Sequence, residues 1–154
     1  MTALLLINGP NLGRLGKRKP EIYGYTTLAQ IHEQLSEIAR QYNLEIFAFH
    51  SNCEGQIIDF IEQHHDDSAG MIINPGALMM AGWSLRDALE DYPSPIVEVH
   101  ISNLWAREQF RHESVLSQVV DNIISGFGVE GYRLAAIGLG NILTKQSLNF
   151  KGDQ

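Results

Sequence analysis

The chain has a single cysteine, Cys53, in 154 residues. That rules out an internal disulfide and gives no support to an oxidising compartment. Basic residues are also scarce: eleven Lys and Arg against eighteen Asp and Glu leave a net charge of −7. Bulk nucleic-acid binding needs a basic surface that displaces counterions, so the composition argues against that partner class. No apolar run approaches the ~20 residues of a membrane span. Met1-Thr2 leads straight into a short apolar strand, with no cationic segment or cleavage site before it. No set of His, Cys, Asp or Glu has metal-site spacing. His64-His65-Asp66-Asp67 looks metal-like, but adjacent helical residues point in different directions, and the run reads as a solvated helix end. The expectation is one small acidic domain, residues 1–154, cytoplasmic, without membrane, nucleic acid, metal or cofactor.

Short apolar runs alternate with helical patterns, the signature of βαβ units and a parallel sheet. Strands are expected at Ala3 to Asn8, Leu44 to Phe49, Gly70 to Asn74, Ile96 to His100 and near Ile123-Ile124. A long polar loop, from Gly9 to about Tyr25, follows the first strand. Thr26 or Thr27 then caps a helix whose Leu28, Ile31, Leu35, Ile38, Ala39 and Tyr42 share one face, and Asn43 can close it. A second helix carries Ile57, Ile58, Phe60 and Ile61, a third centres on Ser84 to Glu90, and a last one runs from Val129. Residues Asn149 to Gln154 read as a frayed tail.

Polar residues stand directly after the apolar strands. Ile7 runs into Asn8-Gly-Pro-Asn11, Ile73 into Asn74-Pro-Gly-Ala77, and Val99 into His100-Ile-Ser-Asn103. In open α/β sheets, ligands bind beyond the carboxyl ends of the strands, so this is the layout of an active site. Two tempting motifs fail. Gly126-Phe-Gly-Val-Glu-Gly131 spells a dinucleotide fingerprint, yet too little chain follows for the next strand and its ribose-binding acid, and a tight strand-to-helix turn is the better reading. The loop carrying Gly16-Lys17 has Asn11 where a phosphate-binding loop needs its first glycine, and Arg18 where it needs Ser or Thr.

The loop from Gly9 is long enough to be a lid, and it holds Arg14, Lys17, Arg18 and Lys19. A cationic lid suits an anionic substrate such as a carboxylate; a solvated basic loop is the plainer reading. Tyr23 lies on it. A free phenol titrates near ~10, and a neighbouring guanidinium such as Arg18 stabilises phenolate, although a lid-packing tyrosine is the commoner case. Glu98 and His100 are two apart on a strand, so both project from one face. Glu98 can hold one imidazole nitrogen while the other meets substrate, and a carboxylate inside so apolar a run needs such a partner. Arg107 and Arg111 fall one helical turn apart, as an anion clamp or as an exposed network with Glu108 and Glu113. Cys53, without an evident base, is expected to be buried.

Asn-Gly-Pro-Asn-Leu (8–12), Gly-Lys-Arg-x-Pro-Glu-Ile-Tyr-Gly (16–24), Ser-Asn-x-Glu-Gly (51–55), Asn-Pro-Gly-Ala (74–77), Leu-Arg-Asp-Ala-Leu (85–89), Glu-Val-His-x-Ser-Asn (98–103), Ala-Arg-Glu-x-Phe-Arg-His (106–112) and Gly-Phe-Gly-x-x-Gly-Tyr (126–132) closely resemble the type II 3-dehydroquinate dehydratases. The resemblance runs in order from Leu4 to about Leu143. It implies a flavodoxin-like three-layer α/β sandwich on a five-stranded parallel sheet, and a homododecamer built as a tetramer of trimers. It also implies dehydration of 3-dehydroquinate to 3-dehydroshikimate in shikimate or quinate metabolism, without metal or cofactor. Carried over, Tyr23 is the base and Arg18 favours its phenolate. Asn11 holds the water that stabilises the enolate oxygen, and His100 is the general acid oriented by Glu98. Asn74 and the Ile101-Ser102 segment bind the carboxylate and C1 hydroxyl. Arg111 meets the ring hydroxyls, and Asp87 supports that end, a neighbouring subunit being one source of it.

The chain also departs from that pattern. Where the family usually reads Asn-Pro-Gly-Ala-Tyr-Thr-His-Thr-Ser, this chain reads Asn74-Pro-Gly-Ala-Leu-Met-Met-Ala-Gly82. Met80 thus replaces a histidine that binds a ring hydroxyl, and Leu78 a tyrosine. Gly13-Arg14 replaces the usual Asn-Leu, and Trp105 stands where histidine or tyrosine is common. The proton-transfer residues are kept while the ring-hydroxyl end is rebuilt. Alternatives to the dehydratase are a paralogue for a related cyclic hydroxy-keto acid, such as an amino analogue of dehydroquinate, and a non-catalytic sensor of such acids. A flavin-binding flavodoxin is a weaker structural alternative.

Overall fold

The computed structural model describes residues 1–152. Five parallel strands form one sheet: β1 (Thr2–Asn8), β2 (Leu44–His50), β3 (Ser68–Asn74), β4 (Ile96–His100) and β5 (Asn122–Ser125), ordered β2-β1-β3-β4-β5. Helices α1 (Pro20–Tyr23), α2 (Leu28–Gln41), α3 (Glu54–Gln63), α4 (Leu78–Ala81), α5 (Trp83–Asp91) and α6 (Glu130–Gly152) join or cover them. The inner strands carry unbroken buried apolar runs, Leu4-Leu5-Leu6-Ile7 and Met71-Ile72-Ile73, as a parallel sheet covered on both faces demands.

Side-chain alternation splits the core in two. Leu4, Leu6, Ile72, Val97 and Val99 pack with α2 and α6, through Ile31, Leu35, Ala136 and Leu139. Leu5, Ile7, Met71, Ile73 and Ile96 pack with α3 and α5, through Ile57, Ile61, Leu85 and Leu89. The result is the expected three-layer, flavodoxin-like α/β sandwich. α2 starts at Thr27 with a reciprocal cap: its hydroxyl accepts the Gln30 N–H, and Gln30 Oε1 accepts the Thr27 N–H at 2.9 Å. It stops at Asn43, which takes the left-handed conformation (φ 57°) expected of a closing asparagine.

Four expectations need correction. The segment holding Arg107 and Arg111 is two separate 3-10 turns, Leu104–Ala106 and Gln109–Arg111, with Arg107 extended between them. The Asn103 side chain accepts the Trp105 N–H and starts the first turn, but no apolar face of helical period carries it further. Cys53 is exposed, because it stands ahead of α3 at a strand end rather than on the helix's inner face. His64 is packed edge-on against Phe47 and Phe60 instead of being solvated. Finally, α6 runs through Gly152, past Asn149 where the tail was expected to begin; 153 and 154 lie outside the described residues.

Candidate active site

Asn8 and Asn74 end the neighbouring strands β1 and β3 as register partners. The chain winds away from this pair in opposite directions, toward β2 and toward β4, so it lies at the topological switch point. By alternation Asn8 shares the face of Leu4 and Leu6, beneath α6. From that helix Tyr132 donates its hydroxyl to Asn8 Oδ1 at 2.6 Å and accepts the Asn74 amide N–H at 2.8 Å. Asn74 Oδ1 accepts the Gly76 N–H at 3.2 Å. Tyr132 gets this close because Gly131 has no side chain: a Cβ there would stand 3.3 Å from both Ile124 and Val99. Burial pushes the Tyr132 hydroxyl well above the usual phenol range, so it stays protonated.

Glu98 and His100 lie on the other face of β4. Glu98 Oε1 is 2.6 Å from His100 Nε2 and also accepts the Ser114 hydroxyl at 2.8 Å, and both residues are buried. The carboxylate thus takes one imidazole nitrogen and leaves the other free for a ligand. Among the described residues Glu98 Oε2 has no hydrogen-bond partner. A second cavity, with about 730 Å³ of empty space, backs onto the pair beside Trp105, His112 and Ser114.

The loop after β1 is folded, with a 3-10 turn at Leu12–Arg14 and α1 ending on Tyr23. Leu12 and Leu15 are buried and anchor it. Two side chains at and just after the end of β2 hold its first turn: Asn52 Oδ1 accepts the Asn11 N–H at 2.9 Å, and His50 Nε2 accepts the Gly13 N–H at 3.1 Å. A Cβ on Gly13 would come within 2.8 Å of the imidazole, so this contact requires glycine. The guanidinium at the Tyr23 hydroxyl is that of Arg107, whose Nη1 donates to it at 2.9 Å and to Ser102 Oγ at 3.2 Å. Arg18, expected in that place, stands over the ring instead, 5.6 Å from its centroid. It sits two residues ahead of the short helix α1 and alongside the ring, while the hydroxyl reaches across to the segment after β4.

These parts meet in one open cleft of about 760 Å³, which brings together Asn11, Arg18, Tyr23, Asn74, His100, Ile101, Ser102 and Arg111 of the expected residues. Glu98 reaches it through His100. Asp87 does not line it; the residue lies exposed on α5 beside Arg86. Arg111 combines both readings made of it, since it borders the cleft and pairs with Glu108 at 2.9 Å. Met80 lines the cleft, whereas Leu78 packs into the core on the α3 and α5 side. Among the described residues no three His, Cys, Asp or Glu are placed to hold a metal ion, and no helix is long and apolar enough to cross a membrane.

Residues 2–139 match the family model of class II dehydroquinase. The chain belongs to that family. A 3-dehydroquinate dehydratase of Anoxybacillus flavithermus is 51% identical over 139 residues, covering 90% of this chain and 94% of that one. The Bacillus subtilis 3-dehydroquinate dehydratase is 44% identical over 135 residues, covering 88% and 91%. The crystal structure of a type II dehydroquinase from Propionibacterium acnes superposes with a TM-score of 0.87 at 41% identity, over 92% of this chain and 97% of that one. Within this dehydroquinase, sequence reasoning missed Arg107 as the partner of the Tyr23 hydroxyl, along with the contacts of Tyr132 and Ser114. Arg107 was visible only as half of a two-arginine pattern. Nothing in the spacing pointed to Ser114.

Proposed function

We propose that this chain is a hydro-lyase converting 3-dehydroquinate to 3-dehydroshikimate, in the cytoplasm, as part of shikimate or quinate metabolism. What supports the reading most is one cleft lined by both a guanidinium-bonded phenol and a carboxylate-held imidazole. Tyr23, as phenolate, takes the acidic proton at C2, beside the C3 ketone. The electron pair enters the enolate, and its return expels the C1 hydroxyl and forms the C1–C2 double bond. His100 gives the departing oxygen its proton, so water leaves. Each turnover ends with Tyr23 one proton richer and His100 one poorer, and exchange with solvent resets both.

Arg107 sets positive charge against an oxygen that must become an anion, and Glu98 aims the imidazole. Asn11 holds the water facing the enolate oxygen, an oxyanion-type role. Asn74 and Ile101-Ser102 bind the carboxylate and C1 hydroxyl, and Arg111 the ring hydroxyls. Asp87 contributes across a subunit contact of a homododecamer. The test is the ultraviolet rise of the conjugated enone when purified protein meets 3-dehydroquinate, with a borohydride-treated control. Borohydride-resistant turnover is expected. Loss of turnover after borohydride would mean an imine route, and no turnover would overturn the reading.

Met80 in the cleft supports a second reading. A thioether gives a ring hydroxyl no hydrogen-bond donor, a loss of about 1–3 kcal/mol. A cyclic hydroxy-keto acid altered at that position, such as the amino analogue of dehydroquinate, would then be preferred. The ratio of kcat/KM for the two compounds decides between them, and detectable binding without turnover of either would indicate a sensor.

A further inference from the structure

We propose that Tyr132 is a positioning residue. Its hydroxyl, seated on Asn8, locks the Asn74 amide so that the cleft meets an N–H donor and not a carbonyl acceptor. This rests on the reading of Asn74 as a substrate-binding residue. An asparagine side chain has nearly the same shape after a half-turn, so its neighbours decide which end faces a ligand. Here two of them act together. The Gly76 N–H can only donate, so it must meet Oδ1. Nδ2 then faces Tyr132, whose single hydroxyl proton goes to Asn8 Oδ1 and leaves a lone pair that holds the amide in that orientation.

Two of the three groups bonded to one another on this side, Asn8 and Asn74, are strand ends, and the third comes from α6, 58 residues beyond Asn74. An amide nitrogen carries two hydrogens. One goes to Tyr132 and the second remains for a ligand oxygen, the polarity that a carboxylate or hydroxyl lone pair needs. Burial keeps the Tyr132 proton in place, so the hydroxyl cannot serve as a competing base. The arrangement also gives the Gly126-to-Gly131 turn a use. It starts α6 close enough to the sheet for a phenol to reach the ends of β1 and β3.

Tyr132→Phe keeps the ring in the core and removes only the hydroxyl. KM for 3-dehydroquinate is expected to rise about tenfold while kcat stays within about threefold, the pattern of lost ground-state binding. In an Asn74→Ala background the same substitution should change KM by less than about twofold, because it acts only through that amide. Multiplying KM effects would overturn the proposal. A ligand-free readout separates it from the activity. The Asn74 side-chain amide protons, followed by NMR, should exchange slowly in the wild type and much faster in Tyr132→Phe. An Asn74 amide unchanged by the substitution refutes the positioning role whether or not the protein turns over 3-dehydroquinate. A wild type without turnover counts against the hydro-lyase reading alone. Should Tyr132→Phe fail to fold, Asn8→Ala removes the acceptor and leaves the phenol, and it is expected to reproduce the rise in KM and the faster exchange; an unchanged KM and amide would be equally decisive against the proposal.

Discussion

Asn74 and His100 line the cleft as buried ends of parallel strands, backed inside the sheet by Asn8 and Glu98, whereas Tyr23, Arg18, Arg107 and Arg111 come from short helices, 3-10 turns and the links beside them. In the strand half each polar group is fixed by a neighbour inside the sheet or by α6, and its errors would be paid in folding. In the loop half the groups are held by a few contacts from Leu12, Leu15, His50 and Asn52, on a segment that makes little core. The difference teaches that one half takes its direction from the sheet, while the other places its charge through a few contacts between loops. A lid that opens and closes needs weakly held residues, and an acid that must point one way needs the opposite.

The sharpest way to break the comparison is Tyr23→Phe. Turnover should fall by about 10²–10⁴-fold, with ligand binding and melting temperature nearly unchanged. Turnover close to wild type would remove Tyr23 from the base role. Glu98→Ala attacks the other half and should harm folding as well as rate. The Ser114 hydroxyl and the imidazole lose a buried partner, which costs about 2–4 kcal/mol and shows as a melting temperature lower by several degrees. A Glu98→Ala protein as heat-stable as the wild type would dissolve the distinction between the halves.

The two arginines near Tyr23 sharpen it further. Arg107 bonds the hydroxyl, and a hydrogen bond to a charged group is worth about 1.5–3 kcal/mol, so Arg107→Ala should slow turnover roughly ten- to a hundredfold. Arg18 faces the ring, where a partly solvated cation–π contact is worth about 0.5–1 kcal/mol, and Arg18→Ala should cost only a few-fold. Steady-state kinetics on the pair decide which guanidinium serves the base, and the reverse order would restore Arg18.

The smallest effect belongs to Glu108. Its own backbone N–H, and then the Arg111 guanidinium, hold its carboxyl below the usual carboxylate range. A depressed acid contributes stability that is present above its unfolded value, near 4.5, and is lost as pH falls through the lower folded value. Glu108→Gln should therefore flatten the acid limb of the stability profile slightly, below the ordinary carboxylate range, and leave neutral-pH turnover within about twofold. A changed profile above pH ~6 would contradict this assignment.

The strand half was largely legible before any coordinates. Strand parity is a strict period of two, so Glu98 and His100 had to share a face, and apolar runs ending in Asn8, Asn74 and His100 marked the strand ends. The loop half was legible in its residue types but not in its pairings. Arg18 is near Tyr23 in sequence and Arg107 is 84 residues away, yet the distant one takes the hydroxyl. No periodicity reports on 3-10 turns, which follow from single caps such as Asn103. Tyr132 was visible as the last letter of a turn motif, and its reach to Asn8 followed from how closely α6 lies on the sheet. Asp87 was legible as part of a motif, yet it lies exposed on α5 beside Arg86, away from the cleft.

The Asn8–Tyr132 hydrogen bond spans 124 residues and ties β1, an inner strand, to α6. Time gives that span a meaning. As the chain is synthesised, β1 and β3 emerge and can pair early, but their terminal amides lack this partner until α6 arrives. A chain cut short before Tyr132 would lose α6 as well, leaving Leu6, Ile72 and the two strand-end amides open to water and the amides without the phenol that aligns them. The orientation of Asn74 is thereby completed only when α6 packs onto the sheet.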